Sequence, residues 1–276
     1  MNGPLRAVFG LAVLAMWALF GFALARGEWS GVQWGMLALA HLACAIVFVN
    51  FPWIFSYGYA GSVVLLSLWI AFTMPSHATR LVAGATLLFG LRLLWHLRAR
   101  GTDPGYAAIR ARSDALHAAT PLGAKLLLWI MMSWLMAFHA MTAYNVGVAV
   151  RVTPLLLAGV LVMVAGLSLE AAADAQKLAA KRIDAGRFVA GGLYRRVRHP
   201  NYLGEIVFQL GLVLTGLGSG APPLAMLAGV IAPLYVVALM WYAAEDLDEK
   251  QLARYGADAQ YRAYRSSSAR LIPGIA

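Results

Sequence analysis

The chain has 276 residues, of which 61% are apolar and only 12% charged, a balance that leaves too little polar surface to cover a soluble globule of that length. The net charge of +10 would suit nucleic acid in a soluble protein, but the basic residues fall between apolar runs rather than along one solvated face, which excludes that class of partner. A single cysteine, Cys44, excludes both a disulfide framework and a cysteine metal site within one chain.

Read against a window of about 19 residues, the apolar runs predict membrane spans near 5–25, 32–50, 56–74, 79–97, 124–144, 154–175, 201–218 and 222–243. The expected fold is therefore all-α: one polytopic transmembrane bundle of seven to eight spans, residues 1–276, with no separate soluble domain. The first run follows Arg6 and ends in Ala-Leu-Ala before Arg26, which imitates a signal peptide, but it is longer than a usual signal core and reads as a span. Eight spans put both termini on one side. Every Lys and Arg then lies on that side except Arg26, Arg80 and Arg151 opposite and Arg92 within a span. By the positive-inside rule the shared side is cytosolic, N-in and C-in.

The fourth span ends in Arg92, Trp95, His96, Arg98 and Arg100, followed by Gly101 to Tyr106. Arg98 and Arg100 suit topology anchors, whereas Arg92 either snorkels to the interface or reaches a buried anion. At the end of the sixth span, Glu170, Asp174, Lys177 and Lys181 follow spacings of four, three and four, so a continuing helix presents all of them on one face. The plain reading is a salt-bridged helix end. Glu170 fits that reading less easily, because an acid near hydrocarbon costs roughly 2.5 kcal/mol or more without an interior partner.

The next segment runs from Gly191 through Tyr194, Arg195, Arg196, Arg198, His199 and Pro200 to Asn201, Tyr202, Gly204 and Glu205. Pro200 biases His199 away from helical angles and itself suits a first helical turn, so the seventh span is predicted to start there. A helix N-terminus beside Arg195, Arg196 and Arg198 suits phosphate. Along that span Asn201, Glu205 and Gln209 recur every fourth residue, a polar stripe that must face the bundle interior. A plain interhelical pair would also account for Glu205, and a loop hydrogen bond for His199. Gly216 to Ala221 loosely matches a dinucleotide glycine pattern but follows a membrane helix and reads as a turn on the far side. In the tail, Glu245, Asp246, Asp248 and Glu249 are placed to pair with the basic loops, and Tyr255, Tyr261 and Tyr264 read as interfacial tyrosines. His41, His77, His117 and His139 have no ligand spacing, and no metal is expected.

The segment Leu169 to Lys177, Gly192-Leu193-Tyr194, the run Arg198 to Glu205 and the tail pattern Tyr255-Gly256, Tyr261, Tyr264, Leu271-Ile272-Pro273 resemble the steroid 5α-reductase superfamily. The likeness is closest to its bacterial branch, a domain of unknown function related to 3-oxo-5α-steroid 4-dehydrogenases, and runs from about residue 85 to the end. It implies an enzyme of the bacterial inner membrane that binds NADPH from the cytosolic side and transfers hydride to a carbon–carbon double bond conjugated to a ketone in a lipid. It implies that Asp174, Asn201 and Glu205 hold the nicotinamide or ribose portion and that Lys181 occupies a phosphate-binding position. With the neighbouring loop residues, the expected cofactor-binding set is Asp174, Lys177, Lys181, Tyr194, Arg198, His199, Asn201, Tyr202 and Glu205. The resemblance supplies no substrate-polarising residue: Glu28, the only acid of the first three spans, is predicted on the opposite face. Glu170 stands where animal steroid enzymes carry Asn, which points away from a steroid itself. Expected partners are a lipidic substrate and membrane lipids, with the oligomeric state left open.

Two other readings stand beside this one. Arg-His-Pro, Tyr-x-Gly and Glu245-Asp246 are also similar to isoprenylcysteine and phospholipid methyltransferases, which would imply S-adenosylmethionine. A non-catalytic lipid-binding protein would tolerate apolar residues at Asn201 and Glu205.

Overall fold

The computed structural model describes residues 3–272, with side chains from Phe9 onward, so Arg6 as a flanking charge and Pro273 of the tail pattern lie outside it. Within these bounds the chain is helical, its one β-type contact an isolated bridge between Val197 and Ala269.

Seven of the eight predicted spans coincide with α-helices and the other, 32–50, does so in part: α1 (Gly3–Ala25), α2 (Gly31–Cys44), α3 (Tyr57–Thr73), α4 (His77–Thr102), α6 (Leu122–Ala149), α7 (Pro154–Ile183), α8 (Pro200–Leu217) and α9 (Pro223–Tyr255). Two shorter helices, α5 (Ala107–Ala119) and α10 (Ala259–Ser267), lie in the segments read as charged connections. Five helical stretches are long and apolar enough to cross a membrane: Gly31–Phe48, His77–Thr102, Leu122–Ala149, Pro154–Ile183 and Pro223–Tyr255. Of the rest, α3 has 17 residues, or roughly 26 Å at 1.5 Å per residue, and α8 carries the polar stripe.

Local chemistry sets several starts. A capping box joins Ser30 and Gln33 at α2, Ser76 caps α4, and Thr153 with Pro154 opens α7. Pro200 opens α8 as expected, with His199 outside helical angles. The predicted span 32–50 is not one continuous α-helix: α2 stops at Cys44 and the chain proceeds through 3-10 turns at Ala45–Phe48 and Phe51–Phe55. Asn50 is extended and Pro52 lacks an N–H, so the α-helical ladder has no route through this corner.

The helix pair that positions everything else is α7 with α8. Gly159 and Gly166 face Gly211 and Gly204, Gly218 meets the start of α7 at Leu155 and Leu156, and the two backbones approach so closely that side chains there have no room. A Cβ on Gly204 would stand 2.5 Å from the Glu170 nitrogen, and one on Gly211 2.5 Å from that of Met163. Small residues allow this approach where hydrocarbon offers no hydrophobic drive between helices. The packed core lies mainly between α2, α3, α4 and α6, and reaches α8 where Phe89 stacks on Phe208 with ring centroids 4.3 Å apart.

Candidate functional site

Because α7 and α8 touch at Gly204 and Glu170, the acids of one helix face the polar stripe of the other. Arg92 enters from α4 and meets both acids: Nη1 donates to Asp174 Oδ2 at 2.6 Å, and Nη2 pairs with Glu170. Of its two sequence readings, the structure selects the buried anion. His96 lies 3.8 Å from Asp174 Oδ2. One guanidinium thus serves two buried carboxylates, with Glu205 buried nearby as a third. Glu170 Oε2 and Glu205 Oε1 have no hydrogen-bond partner among the described residues. Buried acceptors of this kind are costly unless something donates to them.

Deeper along α8, Gln209 Nε2 donates to the Tyr59 hydroxyl at 2.8 Å, and Gln209 Oε1 lies 2.9 Å from His139 Nε2. The Tyr59 phenol stands beside Glu205. Sequence spacing predicted the inward stripe but not these partners: Tyr59 and His139 sit in spans with no motif, and only packing brings them to α8.

Outward from the acids lies a cleft of about 650 Å³ between the ends of α4, α7, α8 and α9, within the roughly 300–1,000 Å³ usual for small-molecule sites. Seven of the nine predicted cofactor residues line it: Asp174, Lys177, Lys181, Tyr194, Arg198, Asn201 and Tyr202. Arg100, Tyr106, Lys250, Arg254 and Tyr255 join them. Lys250 and Arg254 are one helical turn apart on α9, a spacing that could have flagged them; the tail acids drew attention instead. Asp174 is the sole carboxylate on the walls, against six Lys and Arg side chains. Arg198 is neutralised by Asp248 and Lys250 by Asp246, which leaves Arg100, Lys177, Lys181 and Arg254 without a carboxylate partner among the described residues. Lys181 also donates to the Ala185 and Arg187 carbonyls and so orders the turn after α7.

His199 and Glu205 are not on the walls. His199 is buried, its ring stacked on Tyr202 and its Nε2 3.6 Å from Asp248 Oδ1. Burial holds this imidazole below its ordinary pKa; Asp248 pulls the other way, but two arginines already occupy that carboxylate. The three loop arginines do not converge on the start of α8 as the spacing implied. Arg195 and Arg196 are exposed: Arg195 ends a 3-10 turn (Gly192–Arg195), Arg196 keeps helical angles, and only the chain after them pairs with the tail, where Arg198 N donates to Ala269 O at 2.8 Å and Ala269 N to Arg196 O at 3.0 Å. Of the three, only Arg198, which follows that turn and is buried beside the tail, is directed inward. There its guanidinium is spent on Asp248, by Nε at 2.6 Å and Nη2 at 3.3 Å, and on the carbonyls of Arg265 and Ser268.

Two of the three tail tyrosines are interior residues rather than an interfacial belt, and the third, Tyr255, is half-buried on the cleft wall. Tyr261 and Tyr264 are buried, and Tyr264 donates to the Tyr194 carbonyl at 2.8 Å while Phe188 stacks on its ring. Burial pushes the Tyr264 hydroxyl up to about 12. Tyr255 donates to Gly186 O at 2.7 Å. The tail therefore clamps the 184–199 loop that forms one side of the cleft.

No curated protein and no solved structure matches the chain. A family model described as "Protein of unknown function (DUF1295)" matches residues 49–268. That match takes in the α4 arginine, the α7 acids, the α8 stripe and the clamping tail, and by it the chain belongs to this steroid 5α-reductase-like family of helical membrane proteins.

Proposed function

We propose that the protein is an NADPH-dependent reductase of the bacterial inner membrane, acting from the cytosolic side on a double bond conjugated to a carbonyl in a lipid. The observation that carries this reading is the polarity of the cleft: four cations without a carboxylate partner toward its outer part, an acid and an amide, Asp174 and Asn201, at its inner end. A dinucleotide has the same polarity, phosphates at one end and a carboxamide and ribose at the other. Tyr106 and Tyr202 add flat aromatic faces. S-adenosylmethionine carries a sulfonium and no phosphate, so unpaired cations favour the dinucleotide over a methyl donor.

The donor chemistry of the residues fits such a group. Lys177, Lys181, Arg100 and Arg254 would hold its phosphates, and Asp174 and Asn201 would accept from hydroxyl and amide donors, while Glu205, behind the walls with one oxygen unpartnered among the described residues, would meet only a group that enters past them. When bound, NADPH supplies a hydride to the β-carbon of the enone; a proton completes the saturation at the α-carbon, and negative charge collects on the carbonyl oxygen meanwhile. That oxygen needs a hydrogen-bond donor in a site shielded from water. Tyr59 has the right hydrogen-bond direction for this role. Its oxygen accepts from Gln209 and its own proton faces Glu205, so a bound carbonyl oxygen would compete with that carboxylate for it. Arg92, by pairing with Asp174 and Glu170, keeps the acids oriented before any ligand arrives.

The test is a thermal-shift titration of the detergent-purified protein with NADPH, NADH and S-adenosylmethionine. A ligand at a hundred times its Kd that binds only the folded state adds about 2.7 kcal/mol. NADPH is expected to raise Tm, less so in Glu205→Gln, and its oxidation is expected to follow addition of lipidic enones. A rise with S-adenosylmethionine alone would overturn the reductase reading. Unchanged NADPH affinity in Glu205→Gln would remove Glu205 from the site.

A further inference from the structure

A second cleft, of about 620 Å³, lies on the other side of the α4 terminus, between the Phe51–Phe55 turn, the end of α4 and α5. The helix α5 forms one wall and is tied down by polar contacts: Ser113 donates to Asn50 Oδ1 at 2.7 Å, Asn50 donates to Asp114 at 2.9 Å, and Phe51 N donates to His117 Nδ1 at 2.8 Å. These bonds hold α5 against the turn while Ile109 and Leu116, both lining the cleft, stay about half exposed at 56% and 49%. Apolar side chains left open beside a tethered amphipathic helix are the pattern of a segment lying in the membrane interface.

Four arginines surround this apolar floor: Arg98, Arg100, Arg110 and Arg112. No Asp or Glu lines the cleft. The two nearest in sequence are engaged elsewhere, Asp103 with Arg182 at 3.0 Å and Asp114 with Asn50. Arg110 is oriented by the carbonyls of Gly101 and Asp103, and Arg100 lies over the Tyr106 ring, 5.5 Å from its centroid. Arg98 and Arg112 are exposed and have no hydrogen-bond or ion-pair partner among the described residues. Trp53 and Tyr57 complete the rim, Tyr57 donating to Leu97 O at 3.2 Å. Topology alone accounts for arginines at a membrane interface, but it does not require them to ring one cavity with an apolar floor and no acid.

We infer that this cleft is a binding site for an anionic phospholipid, its phosphate held by Arg98, Arg110 and Arg112 and its acyl chains laid along Trp53, Ile109 and Leu116. A free phosphate would be met by the same cations but would make no use of the apolar floor, whereas a lipid uses both. The cleft adjoins the cofactor cleft, with which it shares Arg100, Tyr106 and Ile109, but Arg98, Arg110, Arg112, Trp53 and Leu116 line this one alone, and the assignment does not depend on the reaction proposed for the other.

The test uses the full chain in nanodiscs of phosphatidylcholine alone or with phosphatidylglycerol, followed by native mass spectrometry of retained lipid. The wild type is expected to keep phosphatidylglycerol under conditions that strip phosphatidylcholine. Each arginine near an anionic surface contributes roughly fivefold to binding, so Arg98→Gln with Arg112→Gln should weaken retention by about tenfold to thirtyfold. The Arg98→Lys, Arg112→Lys pair should keep most of it, and Arg195→Gln with Arg196→Gln, exposed outside both clefts, should leave it unchanged. Circular dichroism establishes that each variant is folded. Equal retention in the double Gln variant, equal retention of phosphatidylcholine, or displacement of the lipid by inorganic phosphate alone would each overturn the assignment.

Discussion

Arg92 is the residue on which the inner site turns. Its guanidinium is 14% exposed and answers Glu170 and Asp174 together, so removing it leaves buried carboxylates without their cation. Breaking a buried ion pair from one side costs roughly 3–5 kcal/mol. Arg92→Met is accordingly expected to lower unfolding stability by that order, read by denaturation in micelles; a loss below about 1 kcal/mol would mean that the pair behaves as a surface contact. His199 gives a pH signature of opposite origin. Burial holds its folded-state pKa below the ordinary value, which is about 6.5. As pH falls below that value the unfolded chain takes up the proton first and the folded form resists, so stability present above pH 6.5 is lost on acidification. Tm should be flat above pH 7 and fall between pH 6 and 5, with a shallower fall in His199→Gln. Identical slopes in the two proteins would exonerate His199.

At the scale of elements, the close α7–α8 contact governs the register of the site. Glycines on the two helices interlock so that Glu170 sits against Gly204, one turn from Asn201 and beside Glu205 in sequence. A side chain forced between these backbones cannot be absorbed by a rotamer change, because the atoms it meets are main chain. Overpacking usually costs about 1–3 kcal/mol, and Gly204→Val is expected at the upper end of that range. The same variant should weaken NADPH binding by moving the acids away from the α8 stripe, measured by the ligand-induced rise in Tm; an unchanged rise would separate helix register from the cofactor cleft. Much of this was legible beforehand. The fourfold spacing of Asn201, Glu205 and Gln209 predicted an inward stripe and that of Glu170 with Asp174 a shared helix face, and both are observed. The interlock itself was not predicted, since glycines seven residues apart on one helix acquire meaning only when the opposing helix offers glycines at matching heights.

Across the whole molecule, the tail closes the charged end of the bundle. Asp248, on the extension of α9, gathers Arg198 from the loop and Arg265 from α10, and the Val197–Ala269 bridge fastens the two segments side by side. The Arg198–Asp248 pair is buried on both sides, at 7% and 5% exposure. Asp248→Ala should therefore free the tail locally, at a cost of roughly 3 kcal/mol, while the spans stay packed. Limited proteolysis is expected to cut between residues 256 and 272 in the variant and not in the wild type. Cleavage at equal rates would show that aromatic packing of Phe188, Tyr261 and Tyr264 suffices to hold the tail.

The positions of the long apolar helices, the membrane character and the position of the polar stripes followed from local pattern, because hydropathy and the 3.6-residue period act within one segment and need no partner. The helix start at Pro200 belongs with them, being a property of the residue's own ring. Partner choice depended on tertiary structure. That Arg198 spends its charge on Asp248, that His199 turns away from the cleft, that Tyr59 and His139 reach Gln209, and that Arg92 answers two acids are contacts between segments dozens of residues apart. Each is decided by which backbone approaches which, and here that was decided by glycines that carry no side chain to announce the encounter.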